Sequence, residues 1–438
     1  MLAQRFASRA LPSLDGHCYY TETAHERPLL QLLQGSATAD ACVVGGGIAG
    51  LSAALALARS GVQVTLLEAR RVADGASGRN GGQALPDFAC GIEALERRLG
   101  NDAALRAWEL SQQALRLLRQ RITEYGIDCD WRFGALTLAP TARQARRLRL
   151  AMQHRRTRYG AQRLQWLDAT ELRARVHSDR YAGGVLDPDA GHLHPLNYTL
   201  GLAHAAREAG VRMHEHSAVR AVRRTSGGHA LETAHARLDC RLLLLATGAV
   251  PGAPLARLRA RVLPVATCML ATEALREPVL PLDHAACDTG FIPDYFRSTP
   301  DGRLLFGGGA LLAPGMPWNG DRLHERLRRS MLRVFPQLRA TRITHHWGGW
   351  IDASANRAPD FGHLGPSAVY VQGFSGHGLA LAGLAGELAA QALLGGPGCC
   401  ADFELFARLR HASLPTQGVL RIPVGVAGSL WGRLLHTL

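Results

Sequence analysis

The chain contains no lysine. All 50 of its permanently cationic side chains are arginine, set against 36 Asp plus Glu, for a formal net charge of +14. Without lysine there is no amine for a Schiff base and no P-loop lysine for a β/γ-phosphate, and no ammonium group can serve as base or nucleophile. The charge alone argues little, because an Arg-only, Ala- and Leu-rich composition is also what a GC-rich genome produces; the alternative is attraction to carboxylates, phosphates or an anionic surface. Also missing is any C-x-x-C pair. The nine cysteines are an odd number, Cys399 and Cys400 are adjacent, and Cys42 and Cys240 lie in apolar runs, so the thiols read as reduced small hydrophobes in a reducing cytoplasm. No uninterrupted apolar run approaches about 18 residues and the N-terminus lacks an apolar signal core, so the expectation is a cytoplasmic protein with no spanning helix and no leader. Disorder is excluded by 47% hydrophobic and 20% charged residues. A length of 438 residues is roughly three domain-sized units, enough to bury a core without disulfides or a structural metal.

What is present is a pattern of glycines. Ala41-Cys42-Val43-Val44 reads as a short strand, Gly45-x-Gly47-x-x-Gly50 follows, Leu51 to Arg59 is helical, and Val62 to Leu67 is a second strand ending in Glu68. In such a β-α-β unit the first glycine makes the tight turn and the second lets backbone N–H groups reach a pyrophosphate. The third permits close helix–strand packing. The helix N-terminus favours the anion. A carboxylate at Glu68 accepts the hydroxyls of an adenosine ribose and disfavours a 2′-phosphate, so the motif predicts a bound dinucleotide other than NADP. Two later segments decide between FAD and NAD. Leu244-Leu245-Ala246-Thr247-Gly248 is an apolar strand ending in Ala-Thr-Gly, and Gly373-Phe374-Ser375-Gly376-His377-Gly378-Leu379 is a Gly-rich turn opening a second helix. That helix N-terminus suits a ligand reaching far from its diphosphate and gaining negative charge on reduction, as a flavin does.

Together with these motifs, Gly75-Ala76-Ser77-Gly78-Arg79-Asn80-Gly81-Gly82-Gln83, Asp294-Tyr295-Phe296-Arg297 and Trp347-Gly348-Gly349-Trp350 leading to Pro359 occur in an order that resembles the D-amino-acid oxidase (DAO) superfamily of FAD-dependent oxidoreductases, and within it the γ-glutamylputrescine oxidoreductases. The resemblance runs from about Tyr19 to Phe406. It implies an α/β fold in which a discontinuous Rossmann-like FAD-binding domain (40–90, 191–255 and 345–396) carries an inserted α+β substrate domain (91–190 and 256–344) built on an antiparallel sheet. Residues 1–39 form an extension laid over the surface and 397–438 a C-terminal segment. It also implies that Gly45, Gly47, Ile48, Ala49, Gly50, Glu68, Ala69 and Arg70 hold the adenosine diphosphate, with Val219 against adenine. Ser77, Gly78, Arg79, Asn80, Gly81 and Gly82 pass the diphosphate towards the flavin, and Ala246, Thr247 and Gly248 lie beside it. Gly373, Phe374, Ser375, Gly376, His377, Gly378 and Leu379 face its pyrimidine end.

The expected reaction is oxidation of a C–H bond next to an amine nitrogen, with hydride passing to flavin N5 and the imine hydrolysing to a carbonyl. Arg79, His377 and Arg297 are the candidate catalytic residues, Arg297 as a two-pronged clamp for a substrate carboxylate. The expected partners are a small carboxylate-bearing amine and oxygen or another electron acceptor, with no nucleic acid and at most peripheral membrane contact. No metal ligands are expected, since His345 and His346 have no partner at metal spacing. Asp352 and Asp360 read as loop-structuring carboxylates. The sequence departs from the family's pattern at Asn356, where an Asp is common. The absent lysine also removes the group that sarcosine-oxidase-like members place near flavin N5 for reaction with oxygen. Two alternatives therefore stand: a D-amino-acid or glycine-type dehydrogenase passing electrons to quinone, with the tail Ile422 to Leu438 as an interfacial anchor, and a non-catalytic FAD-binding subunit.

Overall fold

The computed structural model describes residues 17–249, 256–290, 292–312 and 320–413; the tail from Ile422 to Leu438 lies outside the described residues. Two sheets organise the chain. In the first, strands Ala368–Gln372, Ala236–Leu245, Gly35–Val44, Val64–Leu67 and Arg212–His214 run parallel in that order, and Asp360–Gly365 adds an antiparallel edge. Ala41 to Val44 is buried on both faces, which is why it reads as a continuous apolar run rather than an alternation. Helices Ile48–Arg59 and Gly378–Gly395 pack closely over this sheet: a Cβ on Gly386 would come within 2.3 Å of the Ala49 carbonyl oxygen. Gly378–Gly395 is long and apolar enough to cross a membrane, but most of it is buried inside the protein, as befits a core helix.

The second sheet runs Ile343–Ser354, Val262–Thr272, Leu304–Leu312, Tyr295–Ser298, Ala285–Asp288, Arg132–Ala139, Gly183–His192 and Gln83–Ala84. It is antiparallel as expected, apart from the parallel pair Ala285–Asp288 with Arg132–Ala139. The chain is thus a Rossmann-like domain joined to a second, sheet-based one.

Three boundaries differ from the sequence reading. Residues 345–354, placed there in the FAD domain, belong to the edge strand Ile343–Ser354 of the second sheet, in continuous register with Val262 to Ala271; Gly349 lets that strand lie close to Arg79, whose Cβ would be 3.4 Å from a Cβ at this glycine. Helices Ile92–Leu99 and Asn101–Glu124, assigned to the substrate domain, bury their apolar faces in the same core as Gly378–Gly395. There Arg121 donates to Ser52 Oγ and to Glu387 Oε1, both at 2.7 Å. Finally, the described part of the extension is anchored at both ends, while most of the segment between them lies exposed on the surface. Gly35 to Ala39 belong to the first strand, and Tyr20, in the short helix Tyr19–Glu22, is fully buried, because an aromatic ring gains far more from a core pocket than from a wet surface.

Candidate active site

The dinucleotide loop leaves the strand Gly35–Val44 between its two parallel neighbours, with Gly45 N donating to Leu67 O and Ala246 N to Val44 O, both at 2.9 Å. Gly45 has φ +114°, and a Cβ on it would lie 2.4 Å from the Ala246 carbonyl oxygen; one on Gly50 would lie 1.9 Å from the carbonyl oxygen of Gly45. The turn is therefore sealed against its own backbone, and only hydrogen fits at these positions. Glu68 Oε2 accepts from Gly46 N at 2.6 Å and Oε1 from Arg70 N at 2.9 Å, which sets the carboxylate beside the loop. Burial pushes its pKa up, opposed by these N–H donors. Ala69 and Arg70 are exposed, while Val219 packs with Val44, Leu67 and Leu245.

The loop from Ser77 to Gly82 folds back over this turn. Ser77 Oγ accepts from Ile48 N at 3.0 Å, joining it to the helix N-terminus. Ala49 is buried one residue further on. Asn80 bridges the loop, donating to Ala76 O at 2.9 Å and accepting from Gly82 N at 2.8 Å. Gly78 and Gly82 take no side chain, since Cβ atoms there would fall 2.3 Å from Ala73 O and 2.2 Å from Leu193 O. A Cβ on Gly81 would lie 2.8 Å from the Tyr295 ring. Arg79 donates from Nε to Asp74 O at 3.0 Å, and its own carbonyl accepts from Trp347 Nε1 at 3.1 Å.

Arg297 lies under the same loop, buried. Its Nε donates to Gly81 O at 3.1 Å, Nη1 to Ser298 O at 3.1 Å and Nη2 to Tyr20 Oη at 3.2 Å. Three of five N–H donors are so used, leaving one on each terminal nitrogen, and no carboxylate among the described residues pairs with it. His192 and His194 stay neutral beside it: burial, then the Arg297 charge, lowers each to about 3. His194 Nδ1 accepts from Asn197 N at 3.1 Å, so its proton sits on Nε2 and is donated to Thr23 Oγ1, 3.0 Å away.

The second Gly-rich turn is braced by acids. Asp352 Oδ2 accepts from Gly373 N at 2.6 Å, and a Cβ on Gly248 would approach it to 3.9 Å. Asp352 thus holds the turn before the last helix and lies beside the turn at Gly248. Ser375, at φ +54°, accepts on Oγ from Ser354 N at 3.1 Å. Phe374 packs edge-on to Phe361, Gly376 has φ +94° beside Ile351, and Leu379 is buried below Gly378. His377 caps the helix through its backbone; its Nδ1 has no hydrogen-bond partner, and burial lowers its pKa, keeping it neutral. Asp360, in the neighbouring strand, accepts from Tyr370 Oη at 3.0 Å and Gln372 Nε2 at 2.9 Å. Tyr20, His192 and His194 escaped the sequence reading, and Tyr295 entered it only as part of the Asp294–Arg297 segment. Only the Tyr19-Tyr20 pair within an otherwise polar segment hints at them, since the contacts link positions about 170 to 280 residues apart.

Burial raises the Asp352 carboxyl from 3.8 to about 6. Between those values the folded protein holds a proton that the unfolded chain has released, so stability falls as pH rises through that window. Asp352→Asn, which keeps an acceptor for Gly373 N, is expected to flatten the fall in thermal midpoint between about pH 4 and pH 6 in flavin-free protein. Identical slopes for both proteins would refute this origin of the dependence.

The profile of the FAD dependent oxidoreductase (DAO) family matches residues 40–392. The chain belongs to this family. It is 37% identical over 425 residues to γ-glutamylputrescine oxidoreductase of Escherichia coli K12, covering 96% of this chain and 98% of that one. It is 39% identical over 365 residues to a probable oxidoreductase, OrdL, of Haemophilus influenzae, covering 82% and 83%. Among solved structures, L-proline dehydrogenase of P. horikoshii superposes with a TM-score of 0.71 at 19% identity, covering 84% and 96%, which is a likeness of fold. The protein is an FAD-dependent oxidoreductase, and its glycine cradle, the Glu68 carboxylate and the unpartnered Nδ1 of His377 are a donor and acceptor set that suits FAD.

Proposed function

We propose that this flavoenzyme oxidises a carboxylate-bearing amine of the γ-glutamylputrescine type at the C–H bond adjacent to nitrogen. The near full-length similarity to the E. coli enzyme of that name carries the reading, and the spare donors of the buried Arg297 support it. FAD, when bound, supplies the two-electron acceptor for that bond. Gly45, Gly47, Ile48, Ala49 and Gly50 cradle its diphosphate; Glu68, Ala69, Arg70 and Val219 receive the adenosine. The Ser77–Gly82 loop, Ala246 to Gly248 and the Gly373–Leu379 turn enclose the rest. Arg79 is held by Asp74 and Trp347 as a fixed cation on that loop. Arg297 supports Gly81 and turns its two remaining N–H groups to a substrate carboxylate. His377, kept neutral, presents the helix N-terminus without adding charge of its own. The chain then needs only to orient the C–H bond and to exclude water.

The missing lysine favours a second reading of the oxidative half-reaction: electrons leave to an acceptor such as quinone rather than to oxygen, as in a D-amino-acid or glycine-type dehydrogenase. Anaerobic mixing with γ-glutamylputrescine, putrescine and D-amino acids, followed at the visible flavin band, tests both. Bleaching fastest with γ-glutamylputrescine is expected. Bleaching by D-amino acids alone would move the substrate assignment, and no bleaching by any amine would refute amine oxidation. Prompt reoxidation in air would count against the quinone reading.

A further inference from the structure

Outside the flavin site, the N-terminal arm meets the edge strand of the second sheet through three potential metal ligands. His17, Glu22 and His345 each offer one ligand atom, all within 4.8 Å of one another. Glu22 spans the two rings: its Oε1 is in contact with His17 Nε2, and its Oε2 lies 2.8 Å from His345 Nε2. The imidazoles stack in parallel, with centroids 4.6 Å apart and planes at 3°. Backbone pairing fixes the arm here, since His346 N donates to His17 O at 3.0 Å.

The far nitrogens are the second observation. His17 Nδ1 lies 3.2 Å from the Thr344 carbonyl oxygen. A carbonyl can only accept, so that nitrogen carries the proton, and in the neutral ring Nε2 presents a lone pair to a carboxylate that also only accepts. His345 repeats the arrangement with Nδ1 2.7 Å from Thr344 Oγ1. That hydroxyl accepts from Arg303 Nη1 at 2.9 Å and has the Thr272 carbonyl 3.1 Å away for its own proton. Two imidazoles whose Nδ1 atoms are engaged by outer oxygens, with both Nε2 atoms turned to one carboxylate, form the ligand and supporting shell of a cation site. The Arg303 charge is offset by Asp301, whose Oδ2 accepts from Arg303 Nε at 2.6 Å.

We propose that His17, Glu22 and His345 bind one divalent transition cation of the zinc class, with water completing the coordination. Two imidazole nitrogens and one carboxylate oxygen suit Zn²⁺ or Co²⁺ and are too few and too soft for Ca²⁺ or Mg²⁺. The ion fastens the arm to the strand Ile343–Ser354 three residues before Tyr20 reaches Arg297, and so it pins the segment that packs beneath the Gly81–Gly82 loop. This site does not depend on which amine is oxidised.

The test is equilibrium dialysis of the FAD-loaded protein against Zn²⁺ with metal analysis, alongside Glu22→Gln and His345→Gln. Wild type is expected to bind one equivalent saturably. Loss of a ligand should weaken binding at least about 100-fold, beyond the loss typical of an outer-shell partner, with flavin content and thermal midpoint in chelator unchanged. Absence of saturable binding by wild type would overturn the proposal. So would equal binding by both variants, or binding abolished by Cys399→Ser instead, which would place the metal at the adjacent Cys399 and Cys400.

Discussion

Gly50→Val is expected to yield protein that retains almost no FAD. Even a methyl group at this position would place Cβ 1.9 Å from the Gly45 carbonyl oxygen and 3.1 Å from its carbon, and valine adds two further methyls. The obstacle is backbone, so no side chain can rotate away to relieve it. Gly45 cannot retreat either, because it stands against the Ala246 carbonyl. Overpacking of this kind costs typically 1–3 kcal/mol, and here it falls on the turn that would carry the diphosphate. Displacing that turn by a few tenths of an ångström misdirects the N–H groups that bind the anion. We expect FAD affinity to drop at least about 100-fold, roughly 2.8 kcal/mol at 1.4 kcal/mol per decade. The ratio of flavin to protein absorbance after gel filtration reads this directly. A variant with full flavin content and an unchanged thermal midpoint would contradict the assignment of this turn.

Arg297→Leu is expected to lower kcat/KM for a carboxylate-bearing amine by about 100-fold or more. The substitution removes three hydrogen bonds from a charged group, leaving Gly81 O, Ser298 O and Tyr20 Oη without their donor. Hydrogen bonds to charged groups contribute about 1.5–3 kcal/mol each. Losing the substrate's two-pronged contact alone then accounts for a loss of that size. Arg297→Lys is not expected to restore activity, since a single ammonium cannot reach three oxygens in the plane of a guanidinium. The split between substrates separates the two tasks assigned to this side chain. A loss confined to γ-glutamylputrescine, with putrescine turnover unchanged, identifies carboxylate binding; an equal loss for both identifies support of the Gly81–Gly82 loop. Unchanged kcat/KM for both amines would remove Arg297 from the site.

Elements whose cause is local are legible along the chain. A glycine at Gly45 or Gly50 is demanded by backbone contacts within a few residues, or with the adjacent parallel strand, and the strand–turn–helix context makes that demand readable. The same holds for Glu68 at a strand end and for the Gly-rich turn at Gly373, where helix geometry dictates which residue types fit. Absence was equally legible: a chain without lysine cannot perform lysine chemistry in any fold. Tertiary structure decided the rest, wherever the cause lies between segments far apart in the chain. The Tyr19-Tyr20 pair hints at burial but does not say that Tyr20 will pack against Arg297 and Trp347, because its pocket is built from a strand and a loop that only the two-sheet packing brings together. The Trp347 to Ser354 segment has adjacent glycines that do not mark it as a strand, and it is one because Val262–Thr272 supplies the hydrogen-bonding partners. His345 has no metal-spaced neighbour in sequence, yet it meets His17 and Glu22 because the arm crosses that strand's edge. Local chemistry can be read along a chain, whereas a site assembled from both ends exists only once loop closure has brought the ends together.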